Sequence, residues 1–210
     1  EKLPNLALVN AYGATEVSSP ATIMPLGQGH IRADSVGHAV PCAEIRIVDE
    51  TGRDVATGEH GELWIKGPMV VPGYWNNPEK TAAEFHDGFW KSGDVGSCDA
   101  DGFIQLHDRR KDMIIRGGYN IYSAEVENAL TAHPAVIECA AIGRPDPVLG
   151  EKMQVFVHSA DPTLDADAVK AFCATRLADY KTPDFVTFSA DPLPRNANGK
   201  IVKKALRDMV

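Results

Sequence analysis

Short apolar runs broken by Gly, Pro and Asp dominate the chain as far as about His107, and they predict strands over 44–48, 61–66, 90–98 and 103–106. This half reads as a sheet or barrel. Beyond Asp112 helical and strand periods alternate: a helix over 123–132, strands over 135–142 and 153–158, a helix over 165–177, a strand over 185–188 and a closing helix over 202–207. That second texture predicts a small α+β domain.

The junction between the textures is the densest signal in the sequence. Asp108 to Asp112 are all charged, which makes them a solvated connector between one region at 1–108 and another at 109–210. Met113-Ile114-Ile115 then reads as a short buried strand. Gly117-Gly118 supplies the positive φ angles of a tight turn, Ser123 the N-cap of the next helix, and Glu125 a carboxylate near its positive end. The same residues also describe an ordinary strand-turn-helix unit behind a surface loop.

Composition then excludes some classes. With 210 residues and 44% hydrophobic content the chain can bury a real core, as one large or two small domains. A formal charge of -8 opposes nucleic-acid binding, which needs a basic face to displace counterions. Cys42, Cys98, Cys139 and Cys173 are far apart, with no zinc-ligand spacing, and read as reduced, mostly buried thiols of a cytoplasmic protein. No apolar run approaches the roughly 20 residues that span a bilayer, and no signal peptide precedes Glu1. Glu1 in place of Met suggests a piece of something longer.

Three further segments can carry chemistry. After the apolar run 6–9, Tyr12-Gly13-Ala14-Thr15-Glu16 sets a hydroxyl beside a carboxylate on a Gly-flexed loop. Glu16 is a hard oxygen ligand suited to Mg²⁺, and Thr15 can donate to a phosphate oxygen. A plain polar loop after a strand is the alternative. Ser92-Gly93-Asp94 ends an aromatic strand in a short carboxylate that can accept from both hydroxyls of a ribose, or can simply form a turn. Asn198-Gly199-Lys200 reads either as a type I′ hairpin followed by a lysine, or as a flexible loop carrying a compact cation to anionic oxygens.

The order of these segments carries more than any one of them. Tyr12-Gly13-x-Thr15-Glu16 is followed by Gly61-Glu62-Leu63-Trp64-Ile65, Gly73-Tyr74-Trp75-Asn76-Asn77-Pro78-Glu79-Lys80-Thr81, Ser92-Gly93-Asp94, the 108–127 segment and Asn198-Gly199-Lys200. This series resembles the adenylate-forming superfamily, and within it the AMP-forming acyl-CoA synthetases. The resemblance spans essentially the whole chain. It implies an α+β architecture: a partial β-barrel-like subdomain that ends a large AMP-binding domain, then a small mobile domain whose short mixed or antiparallel sheet is flanked by helices.

It also implies a ligase that uses ATP, Mg²⁺ and CoA to convert a fatty or aryl acid first to an acyl-adenylate and then to a thioester. On the matching positions, Tyr12 would stack near the adenine and Gly13 would shape the nucleotide loop. Thr15 would contact phosphates and Glu16 would ligate Mg²⁺. Asp94, helped by Arg109, would hold the ribose. Lys200 would bridge the attacking carboxylate and the α-phosphate. Lys111 would be the hinge, near 108–112, and Gly117-Gly118 would leave room for the pantetheine arm, with Lys181 near a CoA phosphate. Ser92, Tyr119, Ser123 and Asn196 depart from residues frequent in the family, Ser92 preserving a hydroxyl.

The family's phosphate-cradling loop and most of its acyl pocket would lie upstream of Tyr12, so the chain alone is expected to be inactive. Three alternatives share the motifs: an adenylation domain of a peptide synthetase, a luciferase-like oxygenase, and a non-catalytic nucleotide-binding module. The first lacks a carrier serine motif before Val210.

Overall fold

The computed structural model describes residues 6–210. The chain divides into two compact units at the bond between Arg110 and Lys111.

In the first unit the strands are β1 (Ala11–Gly13), β2 (Pro20–Ile23), β3 (His38–Ala39), β4 (Glu44–Val48), β5 (Gly61–Lys66), β6 (Phe85–His86), β7 (Phe89–Cys98) and β8 (Ile104–Arg109), with helix α1 (Pro78–Glu84) ahead of β6. β1-β2-β3 form one antiparallel sheet, and β4-β5-β7 form the body of a second. β6 and β8 share the outer edge of β7, β6 pairing at Phe89 and Trp90 and β8 at Asp94 to Cys98. Among the described residues the two sheets are separate and do not close into a barrel. Alternation along β5 decides the packing: Leu63 and Ile65 enter two neighbouring core clusters, while Trp64 faces a third with Val48 and Phe89.

The second unit contains β9 (Ile114–Arg116), β10 (Tyr119–Ile121), α2 (Ser123–Thr131), β11 (Val136–Asp146), β12 (Gly150–Ser159), α3 (Ala166–Ala174), β13 (Phe185–Ser189) and α4 (Lys203–Arg207). β12 is the central strand of a mixed sheet, antiparallel to β11 and β9 and parallel to β13. Its alternate residues serve opposite faces. Met153, Val155 and Val157 pack with α2 and α3 through Val126, Leu130, Val169 and Cys173, whereas Phe156 joins Ala140, Ile142, Leu193 and Leu206 under α4.

Several expectations are corrected. Residues 6–9 are exposed and irregular, the strand beginning instead at Ala11. α1 escaped the periodicity because it buries none of its residues, although Asn77 caps Lys80 N and Pro78 occupies the first turn. β10 intervenes between the glycine turn and α2. Ser123 is not an N-cap: that position is Tyr122, and the buried Ser123 Oγ instead accepts from Lys203 Nζ at 2.6 Å. Of the thiols, Cys139 and Cys173 are buried, but Cys42 is exposed on a turn and Cys98 is half-buried at a strand end.

Candidate functional site

The sequence candidates fall into two groups, one in each unit. In the first unit, the register of β7 and β8 sets Asp94 opposite Arg109, and Arg109 Nε meets Asp94 Oδ1 at 2.9 Å. From β1, the Tyr12 hydroxyl donates to Asp94 Oδ2 at 2.6 Å. Ser92 Oγ accepts from the Asp94 N–H at 3.0 Å. The Asp94 residue is 7% exposed. Two of the roughly four acceptor positions of its carboxylate are occupied, so the group retains capacity for further donors. Burial and the adjoining carboxylate push the Tyr12 hydroxyl well above its ordinary pKa, so it is a donor at neutral pH.

Arg110 extends this arrangement on the same unit. Its N–H donates to Gly93 O at 2.8 Å, and its guanidinium meets Glu62 Oε2 at 3.2 Å. Glu62 Oε1 accepts in turn from Gly93 N. Glu62 stands in one of the quoted motifs, yet only its pairing across the sheet gives it this work.

Thr15 and Glu16 lie in a 3-10 turn over Thr15–Val17, between β1 and β2. Gly13 is required where these strands approach: a Cβ there would lie 2.9 Å from Ser19 O. Beside the turn is an open depression of about 270 Å³ lined by Ala11 to Ala14 and Ser18 to Pro20. Thr15 is exposed, and Glu16 Oε1 accepts from the Tyr74 hydroxyl at 2.9 Å. Tyr74 also contacts Glu84. Burial, followed by its bonds to Glu84 and Glu16, raises the Tyr74 pKa strongly. Among the described residues no cluster of three His, Cys, Asp or Glu forms a ready cation cage. A single held carboxylate nevertheless suits Mg²⁺, which uses one or two carboxylates together with substrate phosphates.

In the second unit, Gly117 and Gly118 have φ of +59° and +85° and join β9 to β10 as a two-residue turn. Arg116 anchors the base of this hairpin to the segment bearing Lys181, through Tyr180 O at 3.1 Å and Asp184 Oδ1 at 2.9 Å. Lys181 Nζ is paired with both oxygens of Glu125 at 2.6 and 2.7 Å. Lys111 is exposed, and its carbonyl accepts from Arg207 at 3.1 Å.

Lys200 is exposed and follows a turn that is not type I′. That turn requires positive φ at both central residues, whereas of Asn198 and Gly199 only Gly199, at +78°, has it. Instead Gly199 N donates to Asn196 O, and Asn196 Oδ1 accepts from both Asn198 N and Lys200 N at 3.0 Å. Asn196 therefore closes the loop with its own side chain, as asparagine does in turns. Sequence reading overlooked Glu62, Tyr74, Arg116, Glu138 and Arg195. Their charges or hydroxyls were visible, but each has a partner 31 to 68 residues away: Gly93 for Glu62, Asp184 for Arg116, Glu16 for Tyr74, and Glu138 and Arg195 for one another.

Comparison with known proteins adds an independent line. The family model described as AMP-binding enzyme matches residues 1–75, and that of the AMP-binding enzyme C-terminal domain matches residues 125–200. A long-chain-fatty-acid–CoA ligase of Yersinia pestis is 40% identical over 208 residues, covering 99% of this chain and 37% of that enzyme. A feruloyl-CoA synthase of an Amycolatopsis species is 45% identical over 206 residues, covering 96% of this chain and 41% of its own length. The o-succinylbenzoate CoA synthetase of Bacillus subtilis, solved with its acyl-adenylate intermediate, superposes with a TM-score of 0.90 at 36% identity, over 97% of this chain and 41% of that one. The same enzyme was solved with ATP and a magnesium ion. The chain thus spans about two fifths of the length of the relatives it matches. Among the described residues no helix is long and apolar enough to cross a membrane.

Proposed function

The chain belongs to the AMP-binding enzyme family, and from that premise we propose that it is the nucleotide-holding and mobile C-terminal part of an AMP-forming acid–CoA ligase. The observation that carries the reading is Asp94, a buried carboxylate oriented by Tyr12 and Arg109 with acceptor capacity left for ribose hydroxyls. The acid class is a fatty or aryl carboxylate, the two kinds named among the relatives.

In the first half-reaction, a carboxylate oxygen of the acid attacks the α-phosphorus of ATP and pyrophosphate leaves. Asp94 accepts from the ribose hydroxyls and Arg109 fixes Asp94. Tyr12 flanks the adenine, Gly13 lets the loop close, and Thr15 donates to phosphate. Glu16 would hold Mg²⁺, whose charge offsets that of the phosphates. The role assigned to Lys200 is to stabilise the charge that develops on the acid and the α-phosphate as the bond forms. In the second half-reaction the CoA thiol attacks the acyl carbonyl and AMP leaves. Lys111 is the pivot that exchanges Lys200 for the Gly117-Gly118 turn. The turn lacks side chains and so admits a pantetheine arm, and Lys181 stands at the CoA phosphates once it exchanges Glu125 for them.

The test uses Lys200→Ala in the complete enzyme. Acid-dependent pyrophosphate exchange should fall on the order of 10²- to 10³-fold, the usual cost of one oriented donor, while thioester formation from supplied acyl-adenylate is retained. Equal loss in both steps sinks the assignment. The 210-residue chain alone, given ATP, CoA and a panel of acids, should yield no thioester, since it spans about two fifths of the length of the ligases it matches.

A further inference from the structure

The loop that carries Lys200 is tied to the sheet of its own unit by one arginine. Arg195 Nη1 donates to Gly199 O at 2.5 Å, and the carbonyl it holds belongs to the peptide bond that enters Lys200. Its other terminal nitrogen, Nη2, pairs with Glu138 Oε2. Glu138 Oε1 accepts from Leu193 N at 2.5 Å, so one carboxylate holds both the arginine and the chain that leads into the loop.

Glu138 stands on β11 just after a bulge between Val136 and Glu138, a device that re-aims a side chain without ending the strand. Its side chain is 12% exposed. Below the loop, Leu193 and Ile201 pack with Phe156 and Leu206, and Arg195 and Ile201 form an isolated bridge across its neck. The neck is therefore fixed by packing. The orientation of the Gly199–Lys200 peptide rests on Arg195 together with the Asn196 side chain.

We propose that Arg195 and Glu138 are positioning residues for adenylation: the guanidinium bridges the β11 carboxylate to the Gly199 carbonyl and so presents Lys200 in one loop conformation. The proposal rests on the reading of Lys200 given above. Arginine suits the position because two nitrogens of one rigid plane meet two acceptors at once, which a lysine ammonium on a flexible stem does less well. Neither residue touches the reacting atoms. Each acts through the peptide that enters Lys200.

The test compares Arg195→Ala, Arg195→Lys, Glu138→Gln and Lys200→Ala in the complete enzyme, with both half-reactions measured. Arg195→Ala should lower kcat for acid-dependent pyrophosphate exchange by about 10- to 100-fold, the scale of a misplaced catalytic group. KM for ATP should stay near that of the parent, as should the rate of thioester formation from supplied acyl-adenylate. Arg195→Lys should recover part of the loss, and Glu138→Gln should fall in the same direction. A wild-type exchange rate in Arg195→Ala overturns the proposal while Lys200→Ala still loses exchange. So does an equal loss of both half-reactions, which marks a general folding defect. If Lys200→Ala itself spares exchange, the reading of Lys200 has failed and the proposal falls with it.

Discussion

The Tyr12 hydroxyl and the Asp94 carboxylate meet at 2.6 Å across 82 residues of sequence, one from the β1 strand and the other from the middle of β7. The contact links the three-stranded sheet to the larger one, and the Tyr12 ring also packs against both core clusters around Ile65 and Leu63. A single side chain therefore couples core packing to the orientation of the carboxylate proposed to hold ribose.

Tyr12→Phe keeps the ring and removes only the hydroxyl. Loss of a hydrogen bond to a charged group costs about 1.5–3 kcal/mol, so the denaturant midpoint of the chain should fall by a corresponding amount. Nucleotide affinity of the complete enzyme should fall as well, since Asp94 then keeps Arg109 alone of its two side-chain anchors. Urea melts that superpose for the two proteins would show that the bond contributes nothing.

Alkaline titration should separate Tyr12 and Tyr74 from unfolded tyrosines. Both are raised above the ordinary 10.0, Tyr12 by burial and then by Asp94, Tyr74 by burial and then by its bonds to Glu84 and Glu16. The folded state binds these protons more tightly than the unfolded state. The stability they add is thus complete below pH 10 and is lost as pH rises from there toward the folded values. Phenolate absorbance in the native protein at about pH 11 should fall short of that in urea, because Tyr12 and Tyr74 keep their protons. Tyr12→Phe and Tyr74→Phe should each reduce the shortfall, and a substitution that leaves it unchanged would contradict the shift assigned to that residue.

Thiol accessibility gives a third check. Burial, chiefly, pushes Cys139 up to about 12 and Cys173 up to about 11, and the thiolate is the form that alkylates. At neutral pH a brief pulse of iodoacetamide should mark the exposed Cys42 first and leave Cys139 and Cys173 unmodified until denaturant is added. Peptide mass spectrometry reads the order directly, and early label on Cys139 or Cys173 contradicts the packing described.

Lys203, the first residue of α4, joins it to α2, with Nζ at 2.6 Å from Ser123 Oγ and 2.7 Å from Glu127 Oε1. Lys203→Met keeps most of the stem and deletes the charge. Breaking a fully buried pair costs about 3–5 kcal/mol; with the side chains here 15% and 22% exposed, about 1–3 kcal/mol is expected after solvent screening. A thermal melt should shift down accordingly, and a melt unchanged or raised would mean that the desolvation of the pair already cancels its attraction.

Much of the fold was legible because strand periodicity is local. β4 and β5 run over the residues expected of them, and β7, β11, β12 and β13 lie within a few residues, because a short apolar run bounded by turn residues is a signal carried by neighbours in sequence. α1 was the opposite case. Its Asn77-Pro78 start was plain in the sequence, but a helix that buries nothing has no apolar stripe to detect.

By itself the sequence determined the α+β class, the double-glycine turn with its positive φ angles, and the ordered motifs by which the chain resembles the AMP-forming ligases. Only the tertiary structure decided that Asp94 is held by Tyr12 and Arg109, that Lys181 is paired with Glu125, that Ser123 serves Lys203 rather than a helix end, and that Arg195 bridges Glu138 to the Lys200 loop. The reason is physical. Backbone preference and side-chain period depend on neighbours a few residues away, whereas the partner of a charge or hydroxyl depends on which strands the sheet register brings together.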